Sequence, residues 1–269
     1  MSMEITVNQI DKVLDEALSA YKLGKIQNKN IVFIGNDGIG RSSRIEKWLE
    51  AHSDEVAPFY LTSAVLMKEE NGIYVKDLKN GKPQYGFDSV SMERLSADGM
   101  ICVCKNLNRN RSEYIQPFEE LFSDRTYSVP GTDDKQDIHK LFLIIATAYP
   151  DDFGYNVEDI SNIKKCSDVY MVTPSVDEFK EYFDNEVSTD IDDENKIENF
   201  KKILSSPYFQ FILEKDKKFL PFDFMSLFSH CATGKAEEVL SMVNPKGISK
   251  IGMANEKTFE MFKRIFSNL

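Results

Sequence analysis

The sequence predicts an α/β fold: a parallel sheet core with helices on both faces and a β-hairpin insertion, followed by a small helical domain. Three observations carry this. Ile31–Ile34, Gly99–Cys104 and Leu141–Ala146 are continuous apolar runs, the pattern of strands buried on both faces of a parallel sheet. The segments between them place apolar residues at helical spacing. An all-helical tail follows the last strand, with Phe209–Leu213, Pro221–Cys231, Ala236–Val243 and Glu256–Phe266 as its helices. The expected division is an α/β core at 1–175, an acidic helix or linker at 176–202 and a helical lid at 203–269.

In chain order, Val7–Leu23 carries Val7, Ile10, Val13, Leu14, Ala17, Leu18 and Tyr21 on one helical face, with Gly24 as its C-terminal cap. A strand, a glycine-rich turn and a helix from about Arg41 to Ala51 follow. Glu55–Thr62 reads as the second strand. Val65–Gly86 reads as a hairpin insertion with turns at Asn71-Gly72 and Asn80-Gly81, and Ser89–Leu95 as a short helix. After the buried strand at Gly99–Cys104 come a polar turn at Asn108–Ser112, a helix at Tyr114–Phe122 and a short β-turn segment at Asp124–Thr132. Leu141–Ala146 and Val169–Thr173 complete the sheet. Asp177–Lys202 is charged, with Asp190–Glu194 almost wholly acidic, as a solvated helix and loop would be.

The bulk composition narrows the function classes. Hydrophobic residues are 42% and charged residues 29% of the 269, ordinary values for a globular protein. A balance of 33 basic and 44 acidic residues, net −11, disfavours nucleic acid as the main partner, because no uniform basic face meets the phosphates. Cys102, Cys104, Cys166 and Cys231 form no disulfide framework, which points to free thiols and a reducing, cytoplasmic compartment. His52, His139 and His230 stand apart, without the clustering a metal site needs. Met1–Val7 lacks a basic-then-apolar leader pattern, and no apolar run approaches a membrane span.

The chemistry concentrates in Asn30–Trp48. Gly35, Gly40, Arg41 and Ser42 fall at the spacing of the phosphate-binding loop, G-x-x-x-x-G-K-[ST], with arginine in the lysine position. Glycines let the backbone curl so that N–H groups converge on an anion, and the following helix presents its positive end. The candidate nucleotide-binding residues are Gly35, Asp37, Gly38, Ile39, Gly40, Arg41, Ser42 and Ser43. Arg41 has the reach to meet β- and γ-phosphate oxygens bidentately, and Ser42 carries the hydroxyl that would face a metal ion.

The order of pieces resembles the MoxR-like and dynein-related AAA+ ATPases. The resemblance runs from about Ile10 to Thr173 and more weakly over the helical lid. It rests on Gly35–Ser42, on Leu107-Asn108-Arg109 followed by a helix and Leu121-Phe122-Ser123-Asp124-Arg125, and on Ile145-Ala146-Thr147-Ala148-Tyr149-Pro150. It implies a nucleotide-binding core at 1–175, ATP or ADP as ligand with Mg2+ in active members, a protein partner or client, and a ring or hetero-oligomer. The hairpin around Asn71-Gly72 and Asn80-Gly81 is then a candidate partner-binding element.

The departures from that family bear on activity. In active members the buried strand ends in Asp-Glu, the first holding the magnesium shell and the second polarising the attacking water. Here it ends in Lys105-Asn106, which can do neither. Lys105 has two alternatives, to stand in for part of the metal's charge or to pair with Asp37. The sensor asparagine corresponds to Tyr149, the arginine that reaches across a subunit boundary to Lys165, and the lid arginine to Lys257. Each loss of a transition-state group is worth roughly a hundredfold or more, so very slow or absent ATP hydrolysis is expected. Two other readings compete: an active remodelling ATPase whose catalytic groups come from a neighbouring subunit, and a binding module that has abandoned nucleotide.

Overall fold

The computed structural model describes residues 2–26, 28–36, 38–61, 77–79, 82–84, 100–109, 115–128, 134–138, 143–150 and 160–205. The expected turn at Asn71-Gly72, the helix at Ser89–Leu95 and nearly all of the lid at 203–269 lie outside them. The chain divides into two compact units. One comprises Met1–Ile5, Gln9–Gly35 and Arg41–Val172; the other comprises Thr6–Asn8, Asn36–Gly40 and Thr173–Leu269.

The first unit is built on a six-stranded sheet whose strands are all parallel. Its strands are β1 (Met3–Ile5), β2 (Lys29–Ile34), β3 (Ala57–Leu61), β6 (Met100–Cys104), β9 (Leu143–Ala148) and β10 (Asp168–Val172), in the spatial order β1-β10-β2-β9-β6-β3. The short pair β4 (Asp77–Lys79) and β5 (Lys82–Gln84) is antiparallel, as the hairpin reading requires. A second antiparallel pair joins β7 (Thr126–Ser128) to β8 (Lys135–Asp137).

Central strands β2, β6 and β9 are buried along almost their whole length, as their unbroken apolar sequences demand. Val32, Ile34, Cys102, Cys104, Ile144 and Ala146 project from one face. They pack with Phe118, Leu121 and Phe122 of α3 (Gln116–Asp124) and Ile163 of α4 (Ser161–Lys165). Ile31, Phe33, Ile101, Val103 and Ile145 alternate to the opposite face and are equally buried. Helices α1 (Gln9–Lys22) and α2 (Arg41–Ala51) pack on each other. Polar pairs tie them: Arg44 to Asp11 at 2.7 Å, and the Trp48 indole N–H to Asp15 at 2.7 Å. Gly24 ends α1 with φ +66°, and the N–H groups of Gly24 and Lys25 return to the carbonyls of Tyr21 and Ala20.

At the amino ends of the strands, Asn30 donates to the carbonyls of Phe122 (2.7 Å) and Cys166 (2.8 Å). Arg125, in the left-handed conformation after α3, reaches the Lys29 carbonyl at 2.8 Å. Its guanidinium is buried, and that burial lowers its pKa to about 10.

In the second unit, Ser175 and Glu178 form a reciprocal capping box that starts α5 (Val176–Tyr182). The buried Glu178 carboxylate also accepts from the Asn8 N–H at 2.5 Å. A π-turn at Phe183–Val187 leads through the acidic stretch to α6 (Glu194–Leu204). Phe183 packs against Phe200 in a tilted arrangement with ring centroids 4.5 Å apart, and Lys201 pairs with Asp184 at 2.7 Å. The charged region read as helix or linker thus contains two short helices with their own packed contact.

Candidate nucleotide site

The glycine loop leaves β2 at a switch point of the sheet. From β2 the chain crosses β9 and β6 to reach β3 at the edge, while β10 lies on the other side of β2. In open parallel sheets, ligands lie outside the carboxyl ends of the strands at such a point. The Gly35 N–H donates to the Ala148 carbonyl at 3.1 Å, extending the β2–β9 ladder by one bond. Gly38 and Gly40 then take φ of +72° and +83°, conformations that side-chain-bearing residues rarely adopt. Between them Ile39 is buried, while Gly38 is exposed. Asp37 lies outside the described residues.

Arg41 opens α2, and its side chain is buried. Nη1 donates to the Phe33 carbonyl at 2.9 Å and to the Ala148 carbonyl, and the guanidinium lies 5.6 Å from the centre of the Tyr149 ring. The residue in the lysine position therefore ties the carboxyl ends of β2 and β9 together. Ser42 and Ser43 follow on the first turn of α2, Ser42 half-buried and Ser43 exposed.

Lys105 stands just past β6, its N–H donating to the Leu61 carbonyl of β3 at 3.4 Å. Its ammonium pairs with Glu46 of α2, Nζ to Oε1 2.6 Å, and lies 4.9 Å from the centre of the Tyr60 ring. Among the described residues its carboxylate partner is Glu46; the alternative pairing with Asp37 falls on a residue outside them. Burial and the Glu46 carboxylate raise the pKa of Tyr60, and Lys105 opposes them.

Asn106 and Asn108, just after Lys105, tie the end of β6 to β9. Asn106 has φ +55°, a conformation asparagine tolerates better than most residues. Its N–H donates to Thr147 Oγ1 at 2.9 Å. Asn108 is buried and exchanges two hydrogen bonds with the main chain of Tyr149. Nδ2 donates to the Tyr149 carbonyl and Oδ1 accepts from the Tyr149 N–H, both at 2.8 Å. Sequence reasoning singled out Lys105, Asn106 and Tyr149, and all three come together at this end of the sheet. It missed Glu46 as a member of the site and the role of Asn108.

Lys165 is elsewhere. It ends α4, three residues before β10 begins, and Asp168 at that start pairs in register with Ile31 of β2. That puts Lys165 at the amino ends of the strands, away from Lys105, Asn106 and Tyr149 at the carboxyl ends. It is exposed, and Nζ donates to Asn162 Oδ1 at 3.1 Å. Lys257 lies outside the described residues.

The donors among the described residues do not fit a magnesium ion. Ser42 contributes one hydroxyl, Glu46 four residues on along α2 is paired with Lys105, and an ammonium group repels a divalent cation. Among the described residues, no three His, Cys, Asp or Glu side chains are grouped to hold a metal.

Fold and site together define a parallel α/β protein with a glycine loop at the sheet's switch point. No protein-family model matches the chain, and no curated protein matches it in sequence. Among solved structures it is similar to Thermotoga maritima RuvB. One mutant form matches at 13% identity and a TM-score of 0.49, over 98% of this chain and 73% of that one. The structure titled RuvB Holliday junction branch migration motor matches at 12% identity and a TM-score of 0.47, over 97% of this chain and 71% of that one. No helix among the described residues is long and apolar enough to cross a membrane.

Proposed function

We propose that this chain is an AAA+-like P-loop protein of the MoxR kind that binds ATP or ADP and hydrolyses it very slowly or not at all. It acts as a regulatory or structural pseudo-ATPase on a protein partner, in a ring or hetero-oligomer, in the cytoplasm. The observation that carries this is the end of β6. A hydrolysing site needs a carboxylate there to hold the metal and another to polarise water. This chain has Lys105, paired to Glu46, and Asn106, held to Thr147.

Binding is supported separately, by the loop itself. Two positive-φ glycines precede α2, which suits main-chain N–H groups turned toward an anion. A bound nucleotide would rest its phosphates on residues 35–43, and the chemistry it would carry is a transferable γ-phosphoryl group. The reading without nucleotide is favoured by Arg41, whose Nη1 is committed to two carbonyls.

Calorimetric titration with ADP and ATP separates these readings. Saturable binding that is lost in Gly40→Val, with the variant's circular dichroism unchanged, is the expected result. A flat titration of the folded wild-type protein contradicts it.

A further inference from the structure

We infer that this chain takes its nucleotide without a divalent cation, with Lys105 supplying the positive charge beside Ser42. The inference rests on the nucleotide-binding reading above and adds which form of the nucleotide is recognised: the free polyphosphate, not its magnesium complex.

The argument starts from α2. Ser42 and Glu46 are four residues apart, so they are neighbours on one helix face, with Cβ atoms about 5–6 Å apart. In phosphate-loop proteins the hydroxyl in the Ser42 position faces the metal. Glu46 draws the Lys105 ammonium to that face at 2.6 Å, and the Tyr60 ring flanks it at 4.9 Å. An ammonium group has three donors. Glu46 uses one and the ring face attracts another, which leaves a third for a phosphate oxygen. Both contacts come from elements packed around the sheet end, α2 and β3, so the charge is positioned before any ligand arrives.

A divalent ion at the same place meets two penalties. It faces a like charge at short range, and Oε1 of the Glu46 carboxylate is already taken by Lys105. Free ATP or ADP carries more negative charge than its magnesium complex and so pairs better with a fixed cation.

The test is calorimetric titration of the full chain with ADP and with ATP, once in EDTA and once in excess MgCl2. The expected dissociation constant in EDTA is equal to or lower than that in magnesium. Tightening of tenfold or more by magnesium overturns the inference and leaves the nucleotide-binding reading standing. Absence of binding in both buffers overturns both. Lys105→Met, which keeps the chain length and removes the charge, is expected to weaken metal-free binding about tenfold or more. Lys105→Asp, which adds a carboxylate beside Glu46, is expected to make binding magnesium-dependent. A Lys105→Asp protein with the wild-type magnesium response, folded by circular dichroism, removes Lys105 from the site.

Discussion

The carboxamide of Asn108 and the main chain of Tyr149 exchange two hydrogen bonds: Nδ2 donates to the Tyr149 carbonyl and Oδ1 accepts from the Tyr149 N–H, both bonds 2.8 Å long. The pair acts as an extra rung between β6 and β9, beyond the last strand residues. It holds the Lys105–Asn106 turn and the Tyr149 backbone in fixed relation at the sheet end where the glycine loop emerges.

Asn108→Ala removes both hydrogen bonds that the carboxamide makes to the Tyr149 main chain. Each intramolecular hydrogen bond is worth about 0.5–1.5 kcal/mol net, so a loss of about 1–3 kcal/mol is expected. Asn108→Asp keeps the acceptor but sets a carboxylate against the Tyr149 carbonyl, and it should be no better than alanine. Urea unfolding followed by fluorescence of Trp48, the one tryptophan, reads both. A change below about 0.5 kcal/mol in either variant would show that the rung does not matter.

Arg41 makes a prediction about repair. Arg41→Lys brings the loop to the usual phosphate-binding consensus. A single ammonium cannot match a guanidinium set between the Phe33 and Ala148 carbonyls. Stability should fall by about 1–2 kcal/mol and phosphate release should not rise, because Lys105 and Asn106 are unchanged. A rise in turnover of tenfold or more would show that arginine alone had silenced the site.

Thiol reactivity tests the packing of β6. Cys102 and Cys104 lie on the same face of one strand, their sulfurs 3.7 Å apart and fully buried. Burial raises the pKa of Cys104 well above its ordinary value. Neither should react with a disulfide reagent until the protein unfolds. Cys166 is exposed, and its thiol pKa is also raised, chiefly by partial burial. Since the thiolate reacts and a raised pKa reduces its share at neutral pH, Cys166 should react slowly at pH 7. Its rate should climb about tenfold per unit up to pH 8.5. Subtracting a Cys166→Ala protein isolates this reaction, and a rate independent of pH contradicts the assignment.

Much of this structure is legible in the sequence because its central strands are buried on both faces and so have no polar residues to blur them. The loop is legible for a related reason: backbone curvature of this kind requires glycine at Gly38 and Gly40. What escaped was set by partners distant in sequence. β1 and β8 are three residues each, exposed or nearly so, and take their form from neighbours rather than from an apolar pattern. Lys105 could be read as a charge out of place, but its partner on α2 is 59 residues away, and sequence reasoning did not single out Glu46. Asn108 looked like a turn residue because the rung it forms needs Tyr149, 41 residues on.

The central claim is that the end of β6 lacks the means to hydrolyse nucleotide. It is tested most directly by steady-state phosphate release from ATP at a protein concentration where calorimetry has established saturation. The account predicts turnover at least a hundredfold below the median enzyme value of about 10 per second, with no gain on adding magnesium. Turnover at or near that median, abolished by Gly40→Val, would contradict it.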